Sequence, residues 1–190
     1  AKIHTPSTED IELAVTSARE AFYDKNWRHM SQQMRADLLL NISEELKKRK
    51  KEFIEWEIKD SGSTVNKAKA DIHNAASFFK VMSKVASRFQ MESLDSHATT
   101  EGFSTNSRLY SPVGVCAQII PWNFPLVMAA WKIGPILATG CTSILKTALE
   151  TPITGSLLGE IFQTVGLPKG VVNIITGGAD VGKKLVDDRK

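Results

Sequence analysis

Through roughly the first half of the chain, apolar residues recur at helical spacing; after that they gather into short continuous blocks separated by turn residues. The first half therefore predicts helices. Ser7 and Asp10 form a capping-box pattern, and Ile11, Ala14, Val15, Ala18, Ala21 and Phe22 follow on one face. A connection holding Trp27 leads to Ser31, which caps a second segment with Met34, Leu38, Ile42 and Leu46 at four-residue steps, running on through Phe53 and Ile54. Asp60-Ser61-Gly62-Ser63 stops it. A third helix carries Ile72, Ala75, Ala76, Phe79, Met82, Val85 and Ala86 as its buried stripe.

Between Asp95 and Ser107 small and polar residues interrupt the helical pattern, and alternation around Phe103 and Leu109 predicts a hairpin. Val113 to Ile120 is a continuous apolar run of the kind buried in a parallel sheet. A helix opening at Pro125 comes next, then a strand Thr142 to Leu145, a helix from about Pro152 to Val165, a strand Val171 to Thr176 and a helix from about Ala179 to Val186. That alternation predicts α/β architecture: a helical N-terminal half followed by the start of a doubly wound parallel, Rossmann-like sheet with right-handed crossovers. The expected division is 1–94 helical, 95–111 hairpin and 112–190 nucleotide-binding sheet.

Composition narrows the function. With 42% hydrophobic and 24% charged residues, the chain is that of a folded soluble protein. A net charge of +3, with both signs interspersed, gives no support to nucleic-acid or membrane-surface binding. The run Lys47-Lys48-Arg49-Lys50-Lys51 reads as a solvated helix face near a helix C-terminus. Two cysteines in apolar surroundings, Cys116 and Cys141, read as buried structural thiols in a reducing, cytoplasmic setting. No signal core, membrane-length apolar run or metal-ligand spacing is present in the sequence, so no metal is expected.

The segment Ile119-Ile120-Pro121-Trp122-Asn123-Phe124-Pro125 ends a strand and opens a helix, the place where open α/β sheets put their ligands. Together with Trp131-Lys132, Gly134-Pro135, Ala138-Thr139-Gly140, Leu145-Lys146, Thr151-Pro152, Gly166-Leu167-Pro168 and Gly170-Val171-Val172-Asn173, it resembles the NAD(P)-dependent aldehyde dehydrogenase family, in its N-terminal portion. Glu57 and Asp60-Ser61-Gly62 extend the resemblance backwards.

The resemblance implies oxidation of an aldehyde to a carboxylic acid through a cysteine thiohemiacetal, with NAD as cofactor and a homo-oligomer bridged by the hairpin. It implies that Ile119, Ile120, Pro121 and Trp122 line the cofactor, that Asn123 donates its amide to the oxyanion, and that Lys132 serves a proton relay. Lys146 would bind the adenosine ribose, and Gly178 and Gly182 would lie along the adenine side. The substrate pocket would draw only on Phe124, Met128 and Trp131, so the aldehyde itself stays open.

This sequence departs from the family pattern in two places. Leu149 stands where the family carries a ribose-binding glutamate, with Glu150 beside it, which leaves NADP open alongside NAD. The chain also ends at Asp187-Asp188-Arg189-Lys190, where the resemblance would continue to a Phe-Thr-Gly-Ser turn, a general-base glutamate and the nucleophilic cysteine. The expectation is thus the front of an aldehyde dehydrogenase without activity of its own, or else a non-catalytic remnant that binds cofactor or assembles. A self-sufficient Rossmann reductase is disfavoured, because Gly177, Gly178 and Gly182 do not spell Gly-x-Gly-x-x-Gly.

Overall fold

A computed structural model of the chain describes residues 3–88, 92–99, 102–108 and 110–188. Helix α1 (Thr8–Tyr23) starts at the expected capping box: Asp10 N donates to Ser7 Oγ at 3.1 Å and Ser7 N donates to Asp10 Oδ2 at 2.8 Å. The Trp27 connection is itself one helical turn, α2 (Lys25–Arg28), and the buried indole donates Nε1–H to Gly140 O at 3.0 Å. Helix α3 (Gln32–Lys48) begins at Ser31, whose Oγ accepts from Met34 N.

The single long segment expected here is two helices. Arg49 closes α3 and opens α4 (Lys50–Ser61), its guanidinium held by Glu52 at 2.8 and 2.9 Å and by Glu160 at 2.6 Å. Lys47 and Lys48 pair with Glu44 and Glu45, so these basic residues form an ion-paired helix face. Gly62 ends α4 in the left-handed conformation, and α5 (Val65–Arg88) follows. Val85, expected in the buried stripe of α5, is exposed, and so is Met34, which recurs with Leu38, Ile42 and Leu46 at four-residue steps. Steps of four residues drift by roughly 40° each, so Met34 falls off the face that Leu38, Ile42 and Leu46 share, and Val85 lies about 100° round from buried Ala86.

Strands β1 (Glu92–Thr99) and β2 (Gly102–Arg108) pair antiparallel, with an irregularity between Leu94 and His97. The hairpin thus starts three residues before Asp95; Leu109 lies outside the described residues. The rest is a three-stranded parallel sheet ordered β3 (Val115–Ile119), β4 (Thr142–Thr147), β5 (Val172–Thr176), interleaved with α6 (Pro125–Thr139), α7 (Ile153–Thr164) and α8 (Ala179–Asp187).

The sheet is covered on both faces. Leu145 and Ile174 join Trp27, Leu39, Ile42, Phe79, Ile133 and Leu158 in the large core on the α3 to α7 side. Ile144 and Ile175 point the other way and meet Ile11, Val15, Val181 and Leu185 of α1 and α8. This is the doubly wound arrangement that the alternation predicts. Strand β4 is buried throughout, whereas β3, expected to be buried, exposes Val115, Ala117 and Ile119. The reason is position: among the described residues β3 is an edge strand, and its α8-side face reaches past the cover of α1 and α8.

Candidate functional site

The C-terminal ends of the three parallel strands lie together at one end of the sheet, where sheet topology places ligands. Strand β3 delivers the Ile119-to-Phe124 loop. Its backbone is pinned twice: Ile120 N donates to Lys146 O at 3.1 Å, and Thr151 Oγ1 donates to Trp122 O at 2.9 Å. Pro125 at the first turn of α6 then fixes where the helix begins. Ile120 is buried; Pro121, Trp122, Asn123 and Phe124 are exposed. The Asn123 side chain makes no hydrogen bond to the described residues, so the turn does not consume its amide.

Strand β4 delivers Lys146, only 6% exposed. Its Nζ donates to Gly177 O at 2.6 Å and to Thr147 O at 3.3 Å, across the ends of β4 and β5. An ammonium carries three donors, so one is left uncommitted. Burial lowers the Lys146 pKa, and nearby Glu150 and Asp180 oppose that shift. Thr147 and Thr176 hydroxyls, 2.8 Å apart, tie the two strand ends together.

Beyond β5 come the three glycines, and the space around each separates them. A Cβ on Gly177 would collide with Val181, so the strand-to-helix turn itself requires that glycine. A Cβ on Gly178 would be tight against Asp180 and Leu149. At Gly182, inside α8, the backbone is ordinary helix, and a Cβ would meet Ile119 Cδ1 and Lys146 Cε at 3.5 Å, normal contact distance. The fold does not require glycine at 182. A Cβ there would instead thicken the wall between Ile119 and Lys146. The N-terminus of α8 follows β5 at this same end of the sheet and has no side-chain cap among the described residues, so its first amides are left without a side-chain partner.

Ile119, Ile120, Lys146, Gly178 and Gly182 are therefore brought together, with the backbone of Trp122 and Asn123 on the adjoining loop. Lys132 is not part of this group. It is exposed on α6, on the opposite face of the sheet from α8, and its carbonyl accepts from buried Gln118 Nε2 at 2.7 Å. Of the expected substrate-side residues, Phe124 carries the Lys67 ammonium 4.4 Å from its ring centre, and Trp131 leans on Phe78 at 6.2 Å.

Sequence reasoning did not find the support beneath the loop. Asp60 Oδ2, at the end of α4, accepts from Ile153 N at 2.8 Å and so caps α7, whose own N-cap residue, Pro152, cannot. Beside it Glu57 is 0% exposed and neither carboxylate oxygen makes a well-formed hydrogen bond among the described residues. Burial lifts its pKa to about 6, only partly offset by the neighbouring Thr154 hydroxyl. Only the Glu57 and Asp60-Ser61-Gly62 resemblance hinted at this region. The partners lie 93 residues away in sequence, beyond any local pattern.

Both cysteines sit at the other end of the sheet, Cys116 near the start of β3 and Cys141 just before β4. They are free, Cys141 buried and Cys116 half-buried, so the expectation of two buried thiols holds for one. No group of three or more metal-ligating side chains occurs among the described residues, and none of the described helices is long and apolar enough to cross a membrane.

Comparison with known proteins gives the family and the fold. The sequence profile of the aldehyde dehydrogenase family matches residues 1–190. The chain is 39% identical over 189 residues to aminoaldehyde dehydrogenase 2 of Zea mays, covering 94% of this chain and 36% of that protein. It is 35% identical to an aldehyde dehydrogenase of Aspergillus niger, covering 92% and 34%. Among solved structures, the NAD+ complex of aldehyde dehydrogenase from Bacillus cereus superposes with a TM-score of 0.89 at 33% identity, covering 97% of this chain and 37% of that one. Betaine aldehyde dehydrogenase from Staphylococcus aureus in complex with NAD+ gives 0.89 at 32% identity, covering 95% and 35%. The chain thus spans about a third of the length of the relatives it matches. It belongs to the aldehyde dehydrogenase family.

Proposed function

We propose that this chain forms the dinucleotide seat and one wall of the reaction centre of an NAD-dependent enzyme that oxidises an aldehyde to a carboxylic acid. The observation that carries the reading is Gly182. It is a helical glycine that the fold does not need, placed where a side chain would thicken the wall between Ile119 and the buried Lys146. A cradle of this kind fits an adenosine between apolar Ile119 and Leu149, with the third Lys146 donor for a ribose hydroxyl and the uncapped α8 N-terminus adding positive potential. NAD+ is held by the Bacillus cereus and Staphylococcus aureus relatives. When bound, it supplies the hydride acceptor. Leu149 places no charge against a 2′-phosphate, so NADP+ is the comparison ligand.

Asn123 holds a side-chain amide in reserve on a loop pinned at Ile120, Trp122 and Pro125. A donor fixed in this way costs little to orient and stabilises an oxyanion on the aldehyde carbon. Lys132, about two turns into the helix that Pro125 opens, is assigned to proton relay from the other wall. Neither cysteine can attack a carbonyl held by Asn123, because both lie at the opposite ends of their strands. The chain by itself is expected to bind dinucleotide and not to oxidise aldehydes. The paired strands of the hairpin are assigned to contacts between copies.

Titration calorimetry of the chain with NAD+ and NADP+ tests the seat. Saturable binding that weakens in Lys146→Met supports it; no binding at millimolar NAD+, or binding indifferent to Lys146, overturns it. Aldehyde-dependent NADH formation by the purified chain would overturn the claim that it lacks a reactive thiol for this chemistry.

A further inference from the structure

The two cysteines form a group that the proposed chemistry does not use. Parallel pairing sets Val115 opposite Thr142 and Cys116 opposite Ser143, and Thr142 N donates to Gly114 O at 3.1 Å. Side chains alternate along a strand, so Cys141 faces the same way as Ser143 and Cys116, towards α6. Both thiols open onto one cavity of about 380 Å³ lined also by Val113, Pro135, Ile136 and Thr139. The cavity has room for several water-sized molecules.

The surroundings of the two sulfurs differ. The Thr139 hydroxyl donates to Cys141 Sγ at 3.5 Å. Arg35 lies against the neighbouring Gly140. It is 6% exposed, its Nη2 donates to Trp27 O at 2.6 Å, and its Nη1 has no hydrogen-bond partner among the described residues. This cation and Cys141 sense each other electrostatically, and the phenol of Tyr110 is the other titratable group on the cavity wall. The Cys116 thiol and the other donors hold Cys141 well below the usual cysteine range, while Cys116 is pushed up.

We propose that Cys141 and Cys116 form a peroxide-responsive dithiol, with Cys141 the attacking thiolate and Cys116 the resolving thiol, at the end of the sheet opposite the dinucleotide crevice. The Cys141 thiolate attacks one oxygen of hydrogen peroxide, the O–O bond breaks, and hydroxide leaves a sulfenic acid. Cys116 Sγ then attacks that sulfur, forming the disulfide and releasing water. Two thiols lose two electrons and the peroxide becomes two waters. Cys141 lies two residues before Ser143, the register partner of Cys116. With strands roughly 4.8 Å apart and a rise of roughly 3.3 Å per residue, their Cα atoms lie roughly 8 Å apart, past the roughly 4.4–6.8 Å Cα span of a disulfide. Closure therefore draws the Gly140–Cys141 turn towards β3, and thiols reverse the bridge readily.

The test is peroxide treatment of the reduced full chain, followed by peptide mapping with and without the sulfenic-acid trap dimedone. Expected is an intramolecular Cys116–Cys141 linkage, reversed by dithiothreitol. In Cys116→Ser the linkage is lost and dimedone adds to Cys141. Cys141→Ser leaves Cys116 reduced; should that variant fail to fold by circular dichroism, iodoacetamide labelling of the unsubstituted chain at neutral pH decides, with Cys141 reacting at least roughly tenfold faster than Cys116. Dimedone on Cys116, bridges only between chains, or equal alkylation rates would each overturn the proposal.

Discussion

Helices α7 and α8 each follow the C-terminal end of a parallel strand, and neither has a side-chain cap of its own, since Pro152 and Gly178 occupy their N-cap positions. Their first turns are nonetheless treated oppositely. At α7 the carboxylate of Asp60 is brought in from α4 to accept Ile153 N–H, with buried Glu57 beside Thr154. That end is closed by protein. At α8 no side chain among the described residues caps the helix, the buried Lys146 interacts with Asp180 of its first turn, and Gly182 keeps the wall thin. The same local sequence problem is solved once with scaffold and once by leaving room, and the second solution marks the ligand site.

The comparison breaks if the two ends respond alike to substitution. The largest expected effect is at α8. Lys146→Met removes a charged donor, worth about 1.5–3 kcal/mol, so NAD+ affinity should fall roughly 10- to 100-fold in calorimetry. The melting temperature should change little, because the lost carbonyl contacts are offset by relief of a buried charge. A large melting shift with unchanged affinity would make Lys146 scaffold.

Next is Glu57. Its pKa is raised in the folded chain from 4.5 to about 6, so the folded state holds its proton more tightly than the unfolded state. Stability on this account is fully present below pH ~4.5 and is lost as pH rises through ~6, at a cost of about 2 kcal/mol by neutrality. Glu57→Gln should therefore be more stable than the parent at pH 7.5 by about that amount, with the gap closing near pH 4. Chemical denaturation across pH reads this directly. A Gln variant less stable at pH 7.5 would mean that the buried carboxylate is satisfied by partners.

Asp60→Ala removes the borrowed cap and should cost about 1 kcal/mol, in the range for helix caps, while leaving NAD+ affinity within twofold. What was and was not legible in the sequence follows the same line. Ser7 and Ser31 cap helices that begin one residue later, so local pattern found them. Asp60 caps a helix 93 residues away, and no period or motif announces that. The break at Arg49 was hidden for a related reason, because one of the carboxylates that hold it, Glu160, comes from α7. An apolar run such as Val113 to Ile120 reads the same whether its strand is central or at an edge, so the exposure of Val115 and Ile119 had to come from the fold. The loop holding Asn123 was legible as a motif, but the freedom of its amide was not. That Cys116 and Cys141 share one cavity needed the register of β3 on β4.

The smallest expected change in free energy discriminates most sharply. Gly182 lies within a helix with ordinary backbone angles and open contact distances, so Gly182→Ala should stabilise the chain by about 0.5–1 kcal/mol through helix propensity. If the space between Ile119 and Lys146 belongs to a dinucleotide, the same methyl should weaken NAD+ binding. Opposite signs in melting temperature and affinity are what a ligand-imposed glycine predicts. A glycine there for packing alone would lose stability on substitution, and one with no role would gain stability and keep its affinity; either result would return α8 to the scaffold and leave α7 and α8 as two versions of one structural joint.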